Sequence, residues 1–178
     1  EASILKPASG TERVITVTEG YNLTVRNLTI SDGSADSGGG VYVSDGNLIV
    51  QDCFIHHNSG IYGAGVFVGG DVEIHGSELS FNSATFDGGG LFAVGSVLVT
   101  ESSLLMNQAG RHGGAAHVQD GNAVFEDSTI AENVAIDGNG GGININNSLQ
   151  VTRTTFDYNV SGALAGAINQ WNNTPDIN

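Results

Sequence analysis

"NVAIDGNGGGINI" (residues 133–145) sets three consecutive glycines directly before an apolar–polar–apolar alternation, with an asparagine at its head. A glycine triplet gives up more backbone entropy on folding than almost any other tripeptide. Its place beside a strand-like run therefore asks for a structural reason. The arrangement comes back six times. The clusters are Gly38-Gly39-Gly40, Gly63-Ala64-Gly65, Gly88-Gly89-Gly90, Gly113-Gly114-Ala115, Gly140-Gly141-Gly142 and Ala165-Gly166-Ala167. Their last members lie 25, 25, 25, 27 and 25 residues apart. A second landmark, apolar-x-x-Asn, keeps the same beat and supplies Asn58, Asn82, Asn107, Asn133 and Asn159, with Gly33 in the asparagine slot of the first block. Two landmarks sharing one period define a repeat architecture.

Within each block the apolar residues alternate with polar ones, as in Val41-Tyr42-Val43, Val66-Phe67-Val68 and Ile143-Asn144-Ile145. Alternation is the strand period, and no apolar run at helical spacing is long enough to compete. A block reads as three short strands joined by turns, wrapping once so that the next block stacks about 4.8 Å above it. The fold class is all-β: a single-chain parallel β-helix of about six coils of about 25 residues. Stacking predicts apolar columns, and they are present. Val41, Val66, Leu91, Ala116, Ile143 and Ile168 form one; Val25, Val50, Ile74, Val99, Phe125 and Val151 another; Ile30, Ile55, Leu79, Leu104, Ile130 and Phe156 a third. A lone coil has too little interior to fold, so stability comes from its neighbours. The asparagines are expected to form a ladder at one corner, and the glycines to serve positive φ and close backbone approach.

The boundaries follow from the repeat. Residues 1–20 form an N-terminal strand or cap region around "RVITVT", 21–173 the repeats and 174–178 a tail, all in one domain. The run ends on "WNNTPDIN" with no closing element, which predicts self-association through an uncapped end or continuation into a longer protein. A net charge of −14, with five Lys and Arg residues in all, disfavours nucleic acid, because no basic stripe exists to neutralise phosphates. No apolar run approaches the ~20 residues of a membrane-spanning helix. Cys53 is the single cysteine, which excludes an internal disulfide, and its column of small hydroxyl residues makes it a buried thiol.

The two landmarks, best preserved in Ala165-Gly166-Ala167-Ile168, Gly140-Gly141-Gly142-Ile143 and Phe156-Asp157-Tyr158-Asn159, resemble the Gly-Gly-Ala-Ile and Phe-x-x-Asn repeats of the chlamydial polymorphic outer membrane proteins and related bacterial surface passengers. The resemblance covers about residues 21–170. It implies a right-handed helix, an extracellular or bacterial cell-surface or outer-membrane location, and a role in adhesion.

No catalytic residues are assigned. Asp52, Glu101 and Asp127 share one column, which Gly76 interrupts and Arg153 ends; it reads as a solvated acidic face. "GRHGG" (110–114) superficially resembles the Gly-His-Gly of polygalacturonases, but the Asn-Thr-Asp and Asp-Asp motifs of that family are missing, so it reads as a decorated turn. No cofactor is implied apart from calcium, for which Asp32, Asp36 and Asp137 in glycine-rich turns are the candidate ligands. The candidate binding surface is an exposed aromatic stripe, Tyr42, Phe67, Phe92 and His117, on the outward side of the strand after the glycines; a protein or a sugar ring is the expected partner. The expected function is a non-enzymatic stalk or adhesin-like binding module. The alternatives are a polysaccharide-active lyase or hydrolase, or a fragment of one, and a self-assembling solenoid segment.

Overall fold

The structure, a computed structural model, describes residues 3–171; residues 1–2 and 172–178, the expected tail among them, lie outside the described residues. Its chain winds through four strands per coil. In the first full coil these are Leu23–Arg26, Leu28–Ser31, Ser34–Ser37 and Val41–Val43, here called strands a to d. Each pairs in parallel with its equivalent one coil on, which generates four sheets of six, seven, six and seven strands. The fourth ladder, strand c, consists of pieces as short as Ser83–Ala84, too brief to show as an alternation in sequence. Ser3–Leu5 pairs with Leu28–Ile30, and Ile15–Val17 with Val41–Val43. Residues ahead of Leu23 thus supply a partial coil, and the whole makes about seven turns.

Register holds at every step. Val66 sits between Val41 and Leu91, Leu79 between Ile55 and Leu104, and Ala84 between Gly60 and Ala109. Because strand residues alternate between faces, the three apolar columns point inward together and form one continuous buried core. Phe125 is its largest fully buried side chain.

The corners explain the polar landmarks. The residue ahead of each ladder asparagine takes a left-handed backbone: His57 (φ 55°), Phe81 (53°), Met106 (52°), Glu132 (57°) and Tyr158 (47°). That conformation costs a non-glycine residue roughly 1–2 kcal/mol. It turns the following asparagine inward. Asn58, Asn82, Asn107 and Asn133 are then almost wholly buried. Each Nδ2 donates to the next asparagine's Oδ1, at 3.0, 3.0, 3.1 and 2.9 Å along the run to Asn159. The same Oδ1 also accepts the backbone N–H of the preceding asparagine, at 2.9–3.1 Å. In the first coil Gly33 offers only its N–H, which Asn58 Oδ1 accepts at 2.9 Å. A second corner repeats the device with hydroxyls: Ser77 Oγ accepts Cys53 N–H and Ser102 Oγ accepts Ser77 N–H, both at 3.0 Å. Cys53 is buried there, and burial raises its thiol pKa.

The glycine clusters stand at the third corner. Gly88, at φ 68°, takes the left-handed turn. A Cβ on Gly90 would lie 2.7 Å from the Ala115 carbonyl oxygen and 3.1 Å from Asn107 Cγ, inside van der Waals contact with both the next coil and the ladder. The triplet is there because two coils and an amide ladder meet at one place.

Replacing Asn107 with Ala strips Asn82 of the acceptor for both its N–H and its Nδ2. Each unsatisfied buried group costs about 1–3 kcal/mol, so Asn107→Ala should lower the unfolding free energy by about 2–5 kcal/mol in urea titrations. A change below about 0.5 kcal/mol would show that the ladder carries no stability.

Candidate functional site

The outward residues of strand d form a stack. Arg13 lies over the Tyr42 ring at 4.4 Å, and the rings of Tyr42, Phe67, Phe92 and His117 follow at centroid spacings of 5.3, 5.2 and 5.0 Å, tilted by 21°, 9° and 25°. These are offset-stacking distances. Beyond His117 the column continues through amides: Asn144 Nδ2 bonds His117 Nδ1 at 3.0 Å, and Asn169 Nδ2 donates to Asn144 Oδ1 at 2.7 Å. The expectation of a fully exposed stripe is corrected here. Tyr42 and Phe67 are half-buried, but Phe92 is 6% and His117 8% exposed. The stacking direction runs along the helix axis, so the faces of Phe67 and Phe92 are taken by neighbouring rings and only edges look outward. A sugar ring has no free face on these two residues to stack against.

What covers the lower part of the stripe is the turn between strands c and d. Its length varies from coil to coil. From ladder asparagine to glycine cluster the chain advances five residues in Asn58–Gly63, six in Asn82–Gly88 and in Asn107–Gly113, and seven in Asn133–Gly140. The end of strand c and these turns carry a second row of side chains. Tyr62 tilts against Phe86 at 5.6 Å and meets Phe92 edge-on at 5.7 Å; the Arg111 guanidinium sits 4.6 Å above the Phe86 ring. Asp87 lies behind them with its side chain 8% exposed. One of its oxygens accepts Arg111 Nη2 at 2.6 Å and the other the backbone N–H of His112 at 3.1 Å. His112 Nδ1 accepts Asn139 N–H, and Asn139 Oδ1 accepts Leu164 N–H, both at 3.0 Å. These turns are therefore stitched to one another by unlike side chains. Between the two rows lies a cleft of about 500 Å³, lined by Tyr62, Phe67, Phe92, His117, Asp87 and Arg111, with Val94 and Gln119 at its rim. Sequence reading found the floor but missed Tyr62, Asp87 and Arg111. The available signal was the drift in asparagine-to-glycine spacing.

His117 is the perturbed group of the cleft. Burial pushes its pKa down to about 4; Asp87 opposes the shift, while His112 and Arg111 reinforce it. The ring is thus neutral at pH 7.

The remaining candidates are apart from this cleft. Asp32, Asp36 and Asp137 are not brought together: Asp32 binds Ser31 Oγ at 3.0 Å and Lys6 at 2.7 Å, which lowers its pKa. Asp137, four coils further along, donates its backbone N–H to the Gly110 carbonyl of the coil before it. Among the described residues no group of three or more His, Cys, Asp or Glu side chains is placed to hold a metal ion. In the acidic column, Arg153 clamps both oxygens of Asp127 at 2.6 and 2.7 Å and holds its pKa down. Among the described residues, no helix is long and apolar enough to cross a membrane.

A coil of four parallel strands with ladders at its corners defines a parallel β-solenoid. The chain belongs to the right-handed β-helix family, whose "Right handed beta helix region" model matches residues 13–177. No curated protein and no solved structure matches it.

The neutral histidine has a pH consequence. Its folded pKa of about 4 lies below the unfolded value of 6.5, so its contribution is intact above pH 6.5 and is lost as pH falls toward 4. His117→Asn, which extends the Asn144–Asn169 run, should remove about 3 kcal/mol of that acid sensitivity. The check is the difference between the two unfolding-energy curves from pH 7 to 4; parallel curves would contradict the assignment.

Proposed function

We propose that this β-helix is a secreted or cell-surface protein that performs no chemistry and acts as a stiff stalk segment and adhesin-like binding module, with the cleft beside strand d as its contact site. The observation that carries the reading is local. Three corners repeat with nearly constant geometry, while the turns between Asn58 and Gly140 differ in length. Side chains from the end of strand c and from these turns, Tyr62, Asp87 and Arg111, wall a cleft. A solenoid concerned only with stacking gains nothing from such departures. The resemblance of the repeats to bacterial surface passengers supports the location, and it supports adhesion over catalysis. The acidic surface supports it too, since high net charge of one sign keeps an extended protein soluble and monomeric.

The partner class follows from how the stripe is built. With the faces of Phe67 and Phe92 occupied, recognition has to run through ring edges and the polar rim. Val94 lies at that rim on a half-exposed strand end. Val94→Trp should fill the cleft without touching the core columns. Fluorescently labelled protein, tested against immobilised glycans and extracellular-matrix proteins, should then bind at least about tenfold more weakly, a loss of about 1.4 kcal/mol, with an unchanged circular dichroism spectrum. Undiminished binding would remove the cleft from the reading.

A further inference from the structure

Neighbouring residues on a flat strand point to opposite faces, yet His56 and His57 bring their side chains together. His56 ends strand b of its coil, Phe54–His56. His57 follows in the left-handed conformation, at φ 55°, and that turn swings its ring back toward His56. The Nδ1 atoms of the two imidazoles meet at 2.7 Å, with the rings nearly perpendicular at 86°. The convergence belongs to the corner: one coil earlier, Ser31 and Asp32 occupy the same two positions, and Ser31 Oγ donates to Asp32 at 3.0 Å. Later coils fill them with Ser80-Phe81, Leu105-Met106, Ala131-Glu132 and Asp157-Tyr158. One coil presents two imidazoles.

Aromatic neighbours hold the pair. The Phe54 ring lies 4.1 Å from His56, and Phe81 stacks on His57 at 5.1 Å and 15°. Both contacts fix a ring plane without using a ring nitrogen. The other histidines are engaged differently. His75 is bonded through Nδ1 to Thr100 and through Nε2 to Glu73, His112 Nδ1 accepts Asn139 N–H, and His117 Nδ1 is bonded by Asn144. At His56 and His57 two Nδ1 atoms face each other with one proton between them.

Neutral imidazole nitrogen is the common ligand of zinc, copper and nickel. Two such nitrogens, each about 2.0–2.1 Å from one ion at a square-planar or tetrahedral angle, lie about 2.9–3.4 Å apart. The rings therefore have to part by only about 0.2–0.7 Å, and His57 is exposed and has the room to do so. No proton is lost in the exchange. The donor ring's proton passes from Nδ1 to Nε2, so both imidazoles stay neutral and turn a lone pair on the ion. A net charge of −14 draws cations toward the surface.

We propose that His56 and His57 form a surface site for one divalent transition-metal ion, copper(II) above the others, each ligating through Nδ1 with water in the remaining positions. Two adjacent nitrogens with open positions suit tetragonal copper(II), which stands highest among the divalent first-row ions at a given nitrogen site. Calcium, which takes oxygen ligands, gains nothing there. The site stands at the corner between strands b and c and does not rest on the cleft beside strand d.

The test titrates copper(II), nickel(II), zinc(II) and calcium chlorides calorimetrically into the folded chain, His56→Asn, His57→Asn and His75→Gln. Electron paramagnetic resonance then reads the copper complexes. The expected result is one copper(II) per chain, bound more tightly than nickel or zinc, with hyperfine splitting from two imidazole nitrogens. Either corner variant should weaken it at least about tenfold and reduce the splitting to one nitrogen, while His75→Gln changes neither. Asparagine adopts the left-handed backbone readily, so His57→Asn keeps the corner and decides the matter even if His56→Asn folds poorly. Copper binding that survives His57→Asn undiminished, or that is lost in His75→Gln instead, would overturn the proposal. So would calcium bound more tightly than copper, or no copper binding at millimolar concentration.

Discussion

An amide that bonds its own counterpart one coil away tolerates no slippage. If Asn82 shifts by one residue, it loses Asn58, Asn107 and the Ile55 carbonyl together, and every strand residue on either side changes face. The ladder is therefore the constraint on which the parallel register depends. Left-handed residues such as Met106 and Glu132 aim the asparagines inward, and the hydroxyl corner at Ser77 and Ser102 repeats the arrangement with shorter side chains. Apolar columns supply most of the burial, but they are nearly interchangeable and could pack in several registers. The amides allow one.

The regular part of this arrangement was legible before any coordinates. Columns such as Ile55–Leu79–Leu104 and Ala84–Ala109–Ala135 recur every 24 to 26 residues, because each position meets the same neighbours in every coil. Strand c was not legible as a strand, since two residues cannot show an alternation. The covered state of Phe92 and His117 was not legible either. Whether an outward side chain meets water depends on what the adjoining turn does, and that turn has no fixed length. Tyr62, Asp87 and Arg111 belong to no column of like residues, so a reading built on likeness passed them over.

The aromatic stack and the cleft show one set of residues meeting two demands. Face-to-face packing along the axis stabilises sheet d by about 0.2–1 kcal/mol per pair, and it turns ring edges outward. The change from rings to amides at His117 places an imidazole whose Nδ1 continues the column to Asn144 while the residue lines the cleft. A phenylalanine there would stack as well but offer no proton, and an asparagine would continue the amides but stop short of the cavity.

One consequence reaches beyond the single chain. Coils with matching corners are spare parts: a gene could duplicate or delete a whole block and the ends would still fit. The blocks carrying Tyr62, Asp87 and Arg111 are exempt, because unlike side chains stitch their turns together and each fits only beside its present neighbour. Coil number can therefore change outside these blocks on geometric grounds, whereas reordering them would break the stitching.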